Sequence, residues 1–460
     1  MIFTPKRRGA LFNRSKRTAA MTTPGTKKLG LFACITVVAG NMMGSGIALL
    51  PANLAGIGSI SVIGWLVAIL GAMGLAYVFA RLGMEDPQEG GPIAYASEIG
   101  PELGYQTGLL YYHANWIGNL AVAITGVDYL SVFFPALEHP LWAGFASLAL
   151  IWIFTGVNIL GAAWIGRLVS IGVVLLLIPV FITGTVGWLY FDPAVFSANW
   201  LAGGKPAGSS VMSAVVLCIW SFIGIESASV NTAVVDNPKR NIPLSTLIGT
   251  ALAGLVYILS CTAISGMFPA KQMAESGAPF SLAMGHICAG LPLAHLVPDM
   301  VSAVTAFACL ASLGSWIMLV SNAGCRAAQD GTLPPIFGRK NAKGQPVAGL
   351  ILSACMMSAM LLLMMIVSRS GDTQDLFNSI TSVAVLLTLP AYYYSALALL
   401  KRYGLRNRAA WPTVAAAHGA CMFCLIAFSG AEKNALSGAV IVMLGAFIFY
   451  VGKPRPARQG

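Results

Sequence analysis

Trp220-Ser-Phe-Ile-Gly-Ile-Glu-Ser-Ala-Ser229 is the stretch that decides how this chain is read. Apolar residues long enough to cross a bilayer lie around it, yet it holds a carboxylate, three serines and a glycine. Glu226 is the one acidic residue at mid-depth of any apolar run. A charge there costs about 2.5–3.5 kcal/mol or more unless it is paired or wetted, so it marks a functional position. The glycine and serines beside it predict an interrupted helix. Irregular backbone survives at membrane depth only where it is buried in protein or lines a wet cavity. The stretch therefore reads as the binding site of a transporter.

The rest of the 460 residues agrees with a membrane setting. The chain is 57% hydrophobic and 9% charged, where soluble domains carry about 25% charged residues. The expected class is an all-α integral membrane protein. Its nine cysteines are scattered, mostly within apolar runs. Cys421 and Cys424 read as helix packing rather than metal or redox chemistry, and no metal or other cofactor is expected. A net charge of +11 raises nucleic acid as a partner, but its distribution argues against it. Residues 1–28 hold eight Lys/Arg and no acid. They lack the short apolar core of a signal peptide and read as a basic cytoplasmic arm.

Apolar runs fall near 30–50, 57–81, 101–134, 141–161, 164–190, 208–235, 241–268, 293–328, 346–368, 374–400, 409–430 and 433–452. Each approaches or exceeds the ~20 residues of a spanning helix. With both termini cytoplasmic, 23 of the 27 Lys/Arg fall on the inner side and Lys205, Lys271, Arg369 and Lys433 on the outer. Positive charge favours the cytoplasmic side, so this asymmetry supports twelve helices in that orientation.

The first run carries a second interruption, Gly40-Asn-Met-Met-Gly-Ser-Gly46, followed by Pro51. Interrupted helices at matching places in two halves point to an inverted-repeat transporter with its site at the midplane. Helices 1–5 and 6–10 form the repeats within residues 29–400, with helices 1 and 6 broken. Residues 401–460 add helices 11 and 12 and a cytoplasmic tail. Between helices 2 and 3, Met84–Pro101 is acidic and carries Gly90-Gly-Pro92. It reads either as a structured loop at the cytoplasmic mouth or as a solvated connection. Helix 3 contains Tyr111-Tyr-His-Ala-Asn-Trp-Ile-Gly-Asn119, a belt too polar to face lipid.

Interrupted helices expose N–H groups at one side of the break and C=O groups at the other. The N–H ends, at Gly44-Ser45-Gly46 and near Gly224, suit a carboxylate. The C=O ends suit an ammonium. Together they match an amino-acid head group. Trp220, Trp316, Tyr111 and Tyr112 are candidates to pack on an alkyl chain, and their ring faces attract a terminal ammonium by about 0.5–2 kcal/mol. Glu226 adds a full negative charge. The expected ligand is small, cationic and partly aliphatic. Plainer readings stand beside these. Trp316 packs a helix lined with small residues, Tyr95, a further substrate-binding candidate, anchors at the interface instead, and Asp299 sits in a helix N-terminal turn. Asp330 either ends the eighth helix or joins Glu226 in proton and charge coupling. His113 reads as packing.

Four motifs carry a family resemblance: Gly40–Gly46 with Leu49-Leu-Pro-Ala-Asn53, Gly90-Gly-Pro-Ile-Ala-Tyr95, Trp220–Ser229, and Asn237-Pro-Lys-Arg240. Over residues 27–450 the chain resembles the basic amino acid/polyamine antiporters of the amino acid–polyamine–organocation superfamily. The resemblance implies a LeuT-type fold and exchange of external lysine for internal cadaverine, its decarboxylation product. Tyr111–Trp116 and Gly90–Tyr95 favour that pair over arginine–agmatine or putrescine–ornithine. It further implies an inner-membrane location, functional pairing with a cytosolic lysine decarboxylase in acid resistance, and cadaverine–proton symport as a second mode. Asn41 and Ser45 take the head group by position, Trp220 and Trp316 form aromatic walls, Tyr111 lines the pocket, and Glu226 is the ionisable centre. Ile93 stands where the arginine exchanger has a tyrosine, so that gate contact is not carried over, and Ala311 stands where it has a glycine, which implies a pocket of different shape. A homodimer is compatible with the apolar surface. A rival from another class is an intramembrane serine hydrolase using Ser45 and His113, which leaves Glu226 and the second interruption without a purpose; a channel is a third.

Overall fold

The computed structural model describes residues 30–451 apart from 44–45, 86–90, 162–164, 227–234, 330, 343, 368–372 and 432. The elements of the described residues are helical. In order they begin with α1 Leu31–Met42, α2 Leu50–Ala55, α3 Ser61–Glu85, α4 Pro92–Ile99, α5 Pro101–Ser131 and α6 Pro140–Ile159. Next come α7 Ile165–Thr185, α8 Pro193–Ala198, α9 Ala207–Trp220, α10 Pro238–Met267, α11 Ala270–Ala274 and α12 Pro279–Ile287. The chain closes with α13 Val297–Gln329, α14 Val347–Val367, α15 Thr373–Tyr403, α16 Trp411–Ser429 and α17 Lys433–Val451. Proline stands in the first turn of α2, α4, α5, α6, α8, α10 and α12. Its fixed φ and missing N–H cost nothing there.

Each of the twelve apolar runs holds a helix. Eight of these (α3, α6, α7, α10, α13, α14, α15 and α16) are long and apolar enough to cross a membrane. α1 and α9, of 12 and 14 residues, are apolar but shorter, and α17 is apolar over its described stretch Ala435–Gly445. α5 is 31 residues long, and the belt that lowers its hydropathy faces the bundle: Asn115, Trp116 and Asn119 are all buried. α5 packs along α13 and α15, while α10 packs along α3 and α1. The acidic loop is structured in part. Pro92–Ile99 is a helix, whereas Asp86 and Glu89 lie outside the described residues.

Two local features set the backbone of the central stretch. After Trp220 the amides of Ser221, Phe222, Ile223 and Ile225 bond three residues back rather than four, at 2.9–3.3 Å. Such tightened turns close a helix end. Gly224 then takes φ +107°, which an L side chain rarely adopts. The turn is anchored by Phe222, wedged against Trp65 of α3 and Tyr257 of α10 with ring centroids 6.3 and 5.6 Å away. The Tyr257 hydroxyl donates to the Ser221 carbonyl at 3.2 Å.

One end of the molecule is laced by charges. Arg402, near the end of α15, pairs with Glu98 of α4 and lies 3.6 Å from Glu85 of α3. Arg81 sits 3.2 Å from Glu85, and Tyr403 donates to the same carboxylate.

Candidate substrate site

The residues around the two non-helical stretches converge. A Cβ built on Gly46 would lie 3.6 Å from Ser221 Cα and 3.6 Å from Trp220 Nε1, so the two stretches touch. The Trp220 indole then extends to Gly118 on α5. A Cβ there would stand 2.9 Å from Trp220 Cη2, so glycine is what admits the ring. Between them lies a cavity of about 50 Å³ lined by Met42, Gly46, Asn115, Trp220, Ile223, Ser312, Trp316 and Thr388, among others. That is room for a few waters and well under the roughly 300 Å³ at which ligand pockets begin. Any amino acid or diamine needs the lining helices to part.

Glu226 lies at the end of the turn, 2% exposed. The Tyr111 hydroxyl donates to its Oε1, and the Tyr392 hydroxyl to its Oε2 at 2.8 Å. The Gly224 backbone also bonds to Tyr392. A buried carboxylate needs such donors, each worth about 1.5–3 kcal/mol when the acceptor is charged. α5 and α15 thus meet the turn after α9 through one carboxylate. Trp220 Nε1 and Ser221 Oγ are buried without a hydrogen-bond partner among the described residues. The Asn115 amide donates to the Tyr111 carbonyl at 2.6 Å, which fixes its orientation toward the cavity wall.

Of the residues expected from sequence, Gly46, Trp220 and Trp316 line the cavity, and Tyr111, Gly224 and Glu226 form the cluster beside it. Tyr112 turns elsewhere. Its hydroxyl lies 3.3 Å from Ser353 Oγ of α14, and its ring meets Phe337 edge-on. Tyr95 is fully buried on α4 and is absent from the cavity wall. Gly44, Ser45 and Asp330 lie outside the described residues, as does the side chain of Asn41. His113 Nδ1 bonds to the Leu109 carbonyl at 2.8 Å within its own helix, as the packing reading expects. Asp299 occupies the first turn of α13.

Sequence reasoning passed over Tyr392, Thr388, Ser312 and Asn115. A signal for the first existed: Thr388-Leu-Pro-Ala-Tyr-Tyr-Tyr394 sets a proline and three tyrosines inside an apolar run. Asp128, three residues from the end of α5, is a second buried carboxylate, 8% exposed.

Comparison with known proteins places the chain among transporters. The family described as amino acid permease matches residues 29–452. The chain is 52% identical over 428 residues to the cadaverine/lysine antiporter of Escherichia coli (strain K12), covering 93% of this chain and 95% of that one. It is 32% identical over 440 residues, 95% of this chain and 98% of the other, to the putrescine transporter PotE of the same strain. The corresponding transporter of Haemophilus influenzae is 30% identical over 425 residues, 91% and 96% of the two chains.

Proposed function

Because the chain belongs to the amino acid permease family, we propose that it exchanges external lysine for internal cadaverine by alternating access around Glu226. It is a multi-pass membrane transporter and not an enzyme. The observation that carries the reading is the buried carboxylate of Glu226. Glu226 is buried, held by two tyrosine hydroxyls, and set beside a cavity walled by Trp220 and Trp316. Rings and one carboxylate attract a cation with an aliphatic body, and the 52% identity favours lysine and cadaverine over other amines.

The remaining parts of the reading follow from that centre. The twelve apolar runs are the spans, both termini are cytoplasmic, and the membrane is the cell's inner one. α1 with α2 forms the broken first helix of a LeuT-type fold, and α9 opens the broken sixth. The gap between Met42 and Leu50 and the tightened turns after Trp220 support it. Lysine binds with its carboxylate at the first gap, near Asn41 and Gly44–Gly46, and its side-chain ammonium among the rings. The small cavity fits a conformation closed on both sides, from which either end opens. Cadaverine has no carboxylate, so Glu226 and the rings hold it as a dication. Paired with a cytosolic lysine decarboxylase, which consumes a proton, the cycle supports acid resistance. A proton on Glu226, with Asp330 as a second group, supplies cadaverine–proton symport.

Counterflow tests this. Proteoliposomes loaded with cadaverine and given labelled lysine at acid pH are expected to take it up rapidly, and Glu226→Gln to abolish uptake. Stimulation by internal putrescine or agmatine but not cadaverine would reassign the substrate pair. Full activity in the variant would remove Glu226 from the site.

A further inference from the structure

The cavity beside Glu226 is walled by rings, yet three helices also bring an oxygen atom each to its lining. Asn115 of α5, Ser312 of α13 and Thr388 of α15 meet there, because α5 packs along both of the other helices. Asn115 Nδ2 donates to the Tyr111 carbonyl, which leaves Oδ1 as the group the amide offers. The Thr388 hydroxyl donates to the Ala384 carbonyl at 2.8 Å, so its oxygen is left to accept. Ser312 is 4% exposed, and its hydroxyl makes no hydrogen bond among the described residues. Unlike Trp220 Nε1, neither Ser312 Oγ nor Asn115 Oδ1 is closed off from the cavity. Polar atoms buried in this way are costly unless water or a ligand meets them.

Helical spacing places these oxygens relative to Glu226. Asn115 follows Tyr111 by four residues on α5, and Thr388 precedes Tyr392 by four on α15. Each therefore shares a helix face with a tyrosine that holds the carboxylate. The two helices are antiparallel, with Tyr394 of α15 donating to Gln106 near the start of α5 at 2.9 Å. Both oxygens thus lie one turn, about 6 Å, from the tyrosines on the side away from the Arg402 cluster. Glu226, with each oxygen already accepting a tyrosine hydroxyl, acts on the cavity as a charge one turn away.

We propose that Asn115 Oδ1, Ser312 Oγ and Thr388 Oγ1 form the seat of a primary ammonium and select it over a guanidinium. The proposal rests on the lysine–cadaverine reading. A primary ammonium carries three N–H donors that diverge from one small nitrogen, one for each oxygen. The cavity of about 50 Å³ has room for a group of that size. A guanidinium is planar, and its rigid fork of five donors suits a carboxylate edge. Three oxygens from three helices do not form such an edge, and the carboxylate nearby is held by tyrosines. Lysine is seated by its side-chain ammonium, which leaves its head group to the gap after α1. Cadaverine is alike at both ends and is seated by either.

The test uses full-length protein in detergent, titrated with labelled lysine and cadaverine, with arginine as a competitor and ligand-free thermal unfolding as the structural control. Ser312→Ala is expected to weaken lysine and cadaverine at least tenfold, the size of one hydrogen bond to a charged group. Its ligand-free midpoint is expected to stay or rise, since the lost hydroxyl had no partner among the described residues. Thr388→Val keeps the side chain's shape and is expected to weaken both ligands similarly from another helix. Arginine is expected to lose less than lysine in each variant. Unchanged lysine affinity in both variants, an arginine loss as large as that of lysine, or a lowered midpoint in Ser312→Ala would overturn the seat and leave the exchange reading intact. A wild-type protein that binds neither lysine nor cadaverine would overturn both readings.

Discussion

Tyr392 and Gly118 are the residues on which the site's geometry turns. Tyr392 donates to Glu226 at 2.8 Å from α15, to which the sequence reading gave no part in the site. Its removal leaves a buried carboxylate one donor short. Tyr392→Phe is expected to lower the stability of the ligand-free protein by about 1.5–3 kcal/mol. The same change in a Glu226→Gln background should cost far less, and a double-mutant cycle read by thermal unfolding in detergent isolates that coupling. Gly118 acts through space alone. With the Trp220 ring 2.9 Å from where a Cβ would stand, Gly118→Ala must push the indole into the cavity. Lysine binding, followed by titration with labelled ligand, is expected to weaken at least tenfold, the equivalent of about 1.4 kcal/mol. Unchanged affinity would mean that the indole is not a wall of the site.

At the scale of elements, α15 joins the two ends of the molecule to the centre. Its first turns line a second cavity with Asn378 and Ser382, its middle holds Thr388 and Tyr392, and its last turn carries Arg402 to Glu85 and Glu98. The Arg402 pairs tie α15 to α3 and α4 at the end assigned to the cytoplasm. They are partly exposed, so together they bias an equilibrium rather than hold a lock. Arg402→Gln is expected to favour opening at that end and to lower the KM for internal cadaverine about two- to fivefold. A raised KM would assign those pairs to ligand capture instead. Much of this architecture was legible in the residues. The glycines of Gly40–Gly46 and the single Gly224 marked where α1 and α9 stop, since a φ of +107° at Gly224 is one that glycine adopts without a side-chain penalty. The acidic loop was ambiguous, because whether Glu85 and Glu98 face solvent or Arg402 depends on a residue about 300 positions away. Tyr392 was passed over for the same reason. A tyrosine on an apolar helix reads alike whether its hydroxyl meets lipid headgroups or a buried carboxylate. Tyr112 shows the converse, since adjacent residues on a helix point about 100° apart and only one of Tyr111 and Tyr112 can face the site.

The whole molecule works, on this account, by coupling two fluxes of unequal charge. Lysine enters with one positive charge and cadaverine leaves with two, so each cycle moves one charge outward. An inside-negative potential opposes that by about 2.3 kcal/mol per 100 mV. In vesicles with clamped potential, the equilibrium distribution of the two substrates is expected to shift about fiftyfold per 100 mV, with inside-positive potential favouring lysine entry. A proton carried inward with lysine would cancel the effect. The most direct measurement of the exchange itself is a dual-label flux, following lysine into and cadaverine out of the same proteoliposomes. The account predicts one lysine gained for each cadaverine lost, with no lysine uptake into vesicles that start empty. Equal lysine uptake with and without internal cadaverine would contradict it.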